Sequence, residues 1–362
     1  MGGERHILVD IERRRGRGSL SNASGRFEAE RREVADDGWG SLGDLPAFKT
    51  SVTLETAKTI ISINNSPDIS FDQSINPYRG CEHACVYCYA RPSHAYLNHS
   101  PGLDFETRLY AKPNAAKLLE RELAAPGYMA KVIALGTNTD PYQPIEREHR
   151  ITRSILEVLE RTRHPVGIVT KSALVTRDID ILARMARDGL AKVALSVTSL
   201  DHRMSRKMEP RATAPARRID ALRQLSEAGI PVAVMVAPII PAINDSEIEA
   251  ILAAVRAVGV REAGYVLLRM PLEIKDLFRQ WLAAEFPNRK DRVIHLLQGM
   301  RGGKDYDAAW FTRQRGTGPY ADQIAARFKL AAKRLGFNQD RFFLRTDLFE
   351  RPVPPGGQLR LL

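Results

Sequence analysis

Residues 165–199 read PVGIVTKSALVTRDIDILARMARDGLAKVALSVTS. The stretch opens on a β-branched run, PVGIVTKS, continues through TRDIDILARMARDG with apolar residues at three and four spacing, and closes on a second β-branched run, KVALSVTS. This order predicts a strand, a crossover helix and a second strand parallel to the first. Gly189, just past the last periodic residue, is placed to stop the helix.

The same unit recurs on both sides. Further runs are DISFDQSIN at 68–76, KVIALGT at 131–137, PVAVMVAPI at 231–239 and AGYVLLRM at 263–270. Helical segments lie among them, including ITRSILEVLERT, APARRIDALRQLSEAG and DSEIEAILAAVRAVG, the last two stopped by Gly229 and Gly259. Six strands alternating with helices imply a parallel sheet covered on both faces. An open doubly wound sheet and a partial barrel both satisfy this pattern. Polar residues gather at successive strand ends, in GTNTDPYQPIE, TKS, SVTS and PIIPAIND, as the mouth of a barrel requires. No GxGxxG opens the first unit, which disfavours a dinucleotide fold. The expected fold is therefore α/β: a partial (β/α)6 TIM-type barrel over 60–275. An irregular, basic, extended N-terminal arm occupies 1–55, and a basic helical C-terminal extension occupies 276–362.

The 362 residues suit one large barrel with appendages or two domains, and 44% hydrophobic with 27% charged residues excludes a disordered or fibrous chain. The net charge of +11 favours an anionic partner, although solvated faces give similar totals. The run Arg13, Arg14, Arg15 and Arg17 is a candidate nucleic-acid contact or a solvated tail. Residues 289–351 carry fourteen Lys or Arg against seven Asp or Glu, interleaved with Trp310, Phe311, Tyr320, Phe328, Phe337, Phe342 and Phe343. That mixture neutralises phosphates and stacks on bases. Within it, GPYADQIAARFKLAAKRLGF predicts an amphipathic helix with Ile324, Phe328, Ala331 and Leu335 facing a core and Gly336 as its stop. No run of eighteen apolar residues exists, and MGGERHILVDIERRRGRG lacks the apolar core of a signal peptide, so a cytoplasmic protein with no membrane span is expected.

The three cysteines of the chain, Cys81, Cys85 and Cys88, all lie in INPYRGCEHACVYCYARPSHAY, just after the first strand. An odd, clustered set is a poor disulfide framework and a good ligand set. Three thiolates in one loop can hold three irons of a four-iron four-sulfur cluster and leave the fourth iron open. Zinc, with His83 or His94 as a fourth ligand, is the structural alternative, but no second ligand pair appears elsewhere.

This CxxxCxxC motif, with an aromatic residue before its last cysteine, resembles the radical S-adenosylmethionine (radical SAM) superfamily. The resemblance covers residues 60–275. Within the superfamily the chain is most similar to the subgroup of spore photoproduct lyase and DNA-repair photolyase-like proteins, on NPYRGCEHACVYCYAR, TDPYQPIE, MEPRATAPARRI and PIIPAIND. The resemblance implies a partial (β/α)6 barrel, a [4Fe-4S] cluster on Cys81, Cys85 and Cys88, and S-adenosylmethionine chelated to the open iron. An electron from a flavodoxin- or ferredoxin-type donor would cleave the sulfonium bond, giving a 5′-deoxyadenosyl radical that takes a substrate hydrogen. It also implies Tyr87, Thr139, Lys171 and Ser196 as cofactor contacts, with Lys171 the cation for the cofactor carboxylate. Asp140 and Tyr89 are the candidate catalytic residues. Three of these residues have an alternative role: Asp140 as the cap of the turn before Pro141, Lys171 as a snorkelling surface cation and Ser196 as a partner of its own backbone. Lys207, Glu209 and Arg211 would sit in a loop over the mouth, either binding ribose or phosphate or forming a mutual surface ion cluster. The substrate class expected is open, with nucleic acid a candidate. The rival functions are an iron-sulfur nucleic-acid binding protein and an electron carrier without radical chemistry. One departure stands out: Asn138 occupies the position near which spore photoproduct lyase carries its hydrogen-donor cysteine.

Overall fold

In the computed structural model, residues 8–30 and 46–352 are described. Among the described residues ten strands occur in order: β1 (Ser51–Leu54), β2 (Ile61–Ile63), β3 (Gln73–Ile75), β4 (Tyr78–Arg79), β5 (Arg108–Ala111), β6 (Ile133–Leu135), β7 (Val166–Thr170), β8 (Ala191–Ser196), β9 (Val232–Ile239) and β10 (Glu262–Leu267). The main sheet runs β10-β9-β8-β7-β6-β3-β2. Its strands from β3 to β10 are parallel and follow chain order, and β2 adds an antiparallel edge against β3. The six parallel strands are the six β-branched runs of the sequence. Helices Ile151–Arg161, Ile179–Arg187, Pro215–Glu227 and Ile248–Ala257 make the crossovers, and Gly189, Gly229 and Gly259 each carry a positive φ just after a helix. Alternate residues such as Ile133 and Leu135, Ile168, Val193 and Leu195, and Val234 and Val236 are buried, so the core lies inside and around this curved sheet.

A second sheet, β1-β5-β4, sits on the entry side of the cysteine loop. The sequence did not signal it, because strands of two to four residues carry too few positions for a period-two pattern. Its strand β1 lies within residues 1–55 and pairs parallel with β5. Arg17 is also buried, donating to the carbonyls of Glu106 (3.1 Å) and Phe48 (3.1 Å) and to the Thr50 hydroxyl (3.0 Å). It is thus unavailable to nucleic acid.

The C-terminal part contains helices Ile274–Glu285, Lys290–Gly299 and Pro319–Arg334. Ile324, Phe328 and Ala331 are buried and Leu335 is half-buried, the stripe read from the sequence. Phe328 packs on Tyr265 with ring centroids 4.7 Å apart. Residues 311–314 strap the open seam of the sheet: the Leu267 N–H of β10 donates to the Gln314 carbonyl (2.9 Å), while Arg313 pairs with Asp68 in the β2–β3 loop. Phe337 is buried, whereas Trp310, Phe311 and Phe343 are exposed. No described helix is long and apolar enough to cross a membrane.

Candidate functional site

The cysteine loop is held by side chains that are themselves buried. Gln143, from the β6 end, accepts from the Glu82 N–H (2.9 Å) and donates to the Gly80 carbonyl (3.1 Å), gripping the backbone on both sides of Cys81. Arg91, fully buried, donates through Nε to the Cys85 carbonyl (2.9 Å) and pairs with Glu106 (2.5 Å). Glu106 in turn accepts from the backbone N–H groups of Gly18 (2.9 Å) and Ser19 (2.8 Å). A Cβ on Gly18 would lie 1.9 Å from the Ala84 carbonyl oxygen, so only glycine lets the arm close against the loop. Ala84 itself is left-handed, with φ 59°.

Cys81 and Cys85 are buried, Cys88 is half-buried, and all three are free thiols. Burial pushes Cys81 and Cys85 well above an ordinary thiol pKa, with the neighbouring Asp140 and Glu209 carboxylates adding to the respective shifts. As free thiols they are neutral, and a cationic group is what would ionise them. Among the described residues no three His, Cys, Asp or Glu side chains converge on a single-ion position. Of the two histidines considered as zinc ligands, His83 contacts Asp140 through Nδ1 (3.3 Å) and His94 contacts the Arg108 carbonyl through Nε2 (2.9 Å), with His94 Nδ1 buried and unpartnered. Three thiols in one loop match the three protein ligands that a four-iron cluster with one open iron needs.

Around the thiols the structure places the other predicted residues as follows. Lys171 Nζ lies 5.7 Å from the Tyr87 ring centroid and makes no hydrogen bond or ion pair among the described residues. The Tyr87 hydroxyl is bound to Glu209, which also accepts from Thr198 Oγ1 (2.6 Å) and pairs with Arg218. Only the ring of Tyr87, and not its hydroxyl, is left for a cofactor. The Arg218 guanidinium donates to the Ser196 carbonyl (2.9 Å), which ties Ser196 to the same network. Thr139 Oγ1 donates to the Tyr78 carbonyl (3.0 Å).

Asp140 accepts from the N–H groups of Tyr142 (2.9 Å) and Lys171 (2.8 Å) and from Thr170 Oγ1 (2.7 Å), besides contacting His83. Burial pushes its carboxyl up, but His83 and these donors outweigh burial and hold it down to about 2. Every lone pair of Asp140 is thus engaged, tying β6, β7 and the cysteine loop together. Tyr89 bonds the Thr137 carbonyl and carries Arg269 4.9 Å over its ring. Arg269 donates to the Tyr306 hydroxyl (3.1 Å), and its Nε is buried without a partner. Asn138 lines a cavity of about 210 Å³ with Asn76, Arg79 and Lys112.

The loop 207–211 departs from expectation. Glu209 is buried on Arg218, Arg211 pairs with Glu82 (2.6 Å) and Lys207 with Glu285 (3.1 Å), so the three form neither a mutual surface cluster nor a joint phosphate site. Gln143, Arg91, Glu106 and Arg218 were not singled out as site residues. For Arg91, Gln143 and Arg218 the signal lay in the quoted motifs NPYRGCEHACVYCYAR, TDPYQPIE and MEPRATAPARRI, whose polar residues prove to be braces; Glu106 lies outside all three.

Residues 75–255 match the family model described as the radical SAM superfamily. An uncharacterized protein of Mycobacterium tuberculosis is 34% identical over 236 residues, covering 65% of this chain and 69% of the relative. Among solved structures, a mutant spore photoproduct lyase matches with a TM-score of 0.52 at 15% identity, over 86% of this chain and 85% of that one. A second mutant of that lyase, solved with bound AdoMet and dinucleoside spore photoproduct, matches with a TM-score of 0.51 at 15% identity over 78% of each chain. At such identities the likeness establishes the fold.

Proposed function

Because the chain belongs to the radical SAM superfamily, we propose that Cys81, Cys85 and Cys88 hold a [4Fe-4S] cluster that, when reduced, cleaves bound S-adenosylmethionine to methionine and a 5′-deoxyadenosyl radical. The observation that carries this reading is the pairing of three free thiols in a braced loop with Lys171 beside them, whose ammonium lies over the Tyr87 ring and has no hydrogen-bond or ion-pair partner among the described residues. An ammonium so placed binds a carboxylate and offsets its desolvation, so Lys171 receives the carboxylate of the cofactor. The Tyr87 ring, fixed by its hydroxyl on Glu209, packs against the adenine. Thr139, whose hydroxyl is spent on the Tyr78 carbonyl, shapes the pocket wall, while Ser196 is held by Arg218 through its carbonyl and keeps its hydroxyl for the cofactor. Asp140 is a positioning residue: it orients the Lys171 backbone and His83 and does not transfer a proton.

For the substrate we propose a nucleic acid. Tyr89, Arg269 and Tyr306 form an arginine-aromatic group at the mouth, and the unpartnered Arg269 Nε suits a phosphate oxygen. Tyr89, exposed beside the last cysteine with its hydroxyl on the Thr137 carbonyl, serves as the hydrogen relay for a substrate radical once that hydroxyl leaves the carbonyl, since no thiol remains for that role. Electrons come from a flavodoxin- or ferredoxin-type donor, and the cytoplasm is the compartment that keeps such thiols reduced.

The test is equilibrium binding of S-adenosylmethionine to anaerobically reconstituted protein. Lys171→Ala is expected to weaken it by roughly tenfold, about 1.4 kcal/mol, at unchanged iron content. Binding as tight as wild type contradicts the assignment of Lys171.

A further inference from the structure

Beside the cysteine loop lies a second cavity, of about 520 Å³, lined by His83 of that loop, by the segment after β7 and by the loop and helix after β8. Neither Tyr87 nor Lys171 lines it. Lys171 turns to Tyr87, whereas the next residue, Ser172, faces this cavity. The cavity is therefore separate from the cofactor pocket proposed above.

Its lining contains four arginines, Arg147, Arg177, Arg211 and Arg217, against a single acid, Asp220. Arg177 is consumed by Glu146 (2.7 Å) and Asp178 (2.8 Å), and Arg211 is held by Glu82 with its side chain 37% exposed. The exposed guanidiniums of Arg147 and Arg217 form no hydrogen bond or ion pair among the described residues. The Arg211 N–H donates to the His83 carbonyl (3.3 Å), so the arginine-bearing loop is tied directly to the backbone between Cys81 and Cys85.

We propose that this cavity is the docking surface for the electron donor, a small acidic protein with a low-potential flavin or iron-sulfur centre. The inference rests on the cluster reading above. Three observations select this partner. Guanidiniums form forked, charge-assisted bonds with carboxylates, and two here are uncommitted. The two aromatic rings in the lining, Tyr142 and the His83 imidazole, are both buried, so the cavity offers no exposed face for stacking bases. A partner seated here lies over His83, which is buried between two cysteines in the sequence, and electron transfer falls steeply with distance. In the transfer the donor centre is oxidised by one electron and the group on the cysteines is reduced by one. No bond forms, and no proton passes through the chain.

The experiment compares reconstituted wild type with the Arg147→Glu/Arg217→Glu double variant, using dithionite or purified reduced flavodoxin as the source of electrons, with flavodoxin affinity measured separately by calorimetry at low and high salt. The expected result is 5′-deoxyadenosine formation unchanged with dithionite, a loss of about tenfold or more with flavodoxin, and a matching loss of its salt-sensitive affinity. Unchanged flavodoxin affinity and rate in the variant overturns the proposal. So does loss of single-stranded oligonucleotide binding with flavodoxin binding intact, which would assign the cavity to nucleic acid. Absence of 5′-deoxyadenosine from wild type under dithionite instead refutes the cluster reading, and the affinity measurement then still decides the docking surface.

Discussion

Gln143 shows how much of the site depends on one neutral side chain. It pairs the Gly80 carbonyl and the Glu82 N–H, the two backbone groups that flank Cys81. Gln143→Ala leaves both without their partner in a buried setting, at a cost of about 1–3 kcal/mol for each. The expected outcome is a lower melting temperature and incomplete iron loading; full loading at wild-type stability contradicts the brace. His164 carries a pH dependence of its own. It is buried, with Nε2 2.8 Å from the Tyr128 hydroxyl and Nδ1 3.1 Å from the Pro165 carbonyl, and burial pulls its pKa down to about 4. In the unfolded chain histidine titrates near about 6.5, so the folded state binds fewer protons between these values. Its contribution is complete above about pH 6.5 and is lost as the pH falls towards 4, by roughly 3 kcal/mol. Denaturant midpoints at pH 7 and pH 5 should therefore differ less in His164→Gln than in wild type. Equal differences contradict the assignment.

At the scale of elements, the six parallel strands were legible because each is a β-branched run and each helix between them keeps its three and four spacing. The cysteine loop was legible from spacing alone. The arm was not: RRRGRGSLSN is polar and aperiodic, and what holds residues 17–21 is backbone amides on the Glu106 carboxylate, which no periodicity reports. Buried charge pairs such as Arg91–Glu106 and Arg218–Glu209 are hidden for the same reason, since Arg and Glu ordinarily read as surface. Gly18→Ala places a methyl group against the Ala84 carbonyl and should peel the arm from the loop. Faster amide exchange at residues 17–21 and in the cysteine loop is expected; unchanged protection at both contradicts the close approach. The strap at 311–314 makes a different prediction. Arg313→Ala frees Asp68 and should expose the seam to limited proteolysis near Phe311 while leaving iron content unchanged.

For the whole molecule, the partial barrel brings the thiols, the free ammonium of Lys171 and the arginine-aromatic group at Tyr89 and Arg269 to one mouth, with the arm and the C-terminal strap closing the surroundings. Asn138 at the end of β6 bears on the outcome of the reaction, because the chain has three cysteines and the account assigns all of them to iron. Spore photoproduct is accordingly expected to be converted slowly or not at all, and Asn138→Cys to assemble its cluster normally. Efficient multiple-turnover conversion by the wild type would show that this position does not matter. The most direct test of the central claim is anaerobic reconstitution followed by reduction with S-adenosylmethionine present, for wild type and for Cys81→Ala/Cys85→Ala/Cys88→Ala. The account predicts about four irons and four sulfides per wild-type chain, with 5′-deoxyadenosine and methionine formed in equal amounts, and neither metal nor products from the triple variant. Stoichiometric zinc without iron, or a four-iron protein that leaves S-adenosylmethionine intact when reduced, would contradict it.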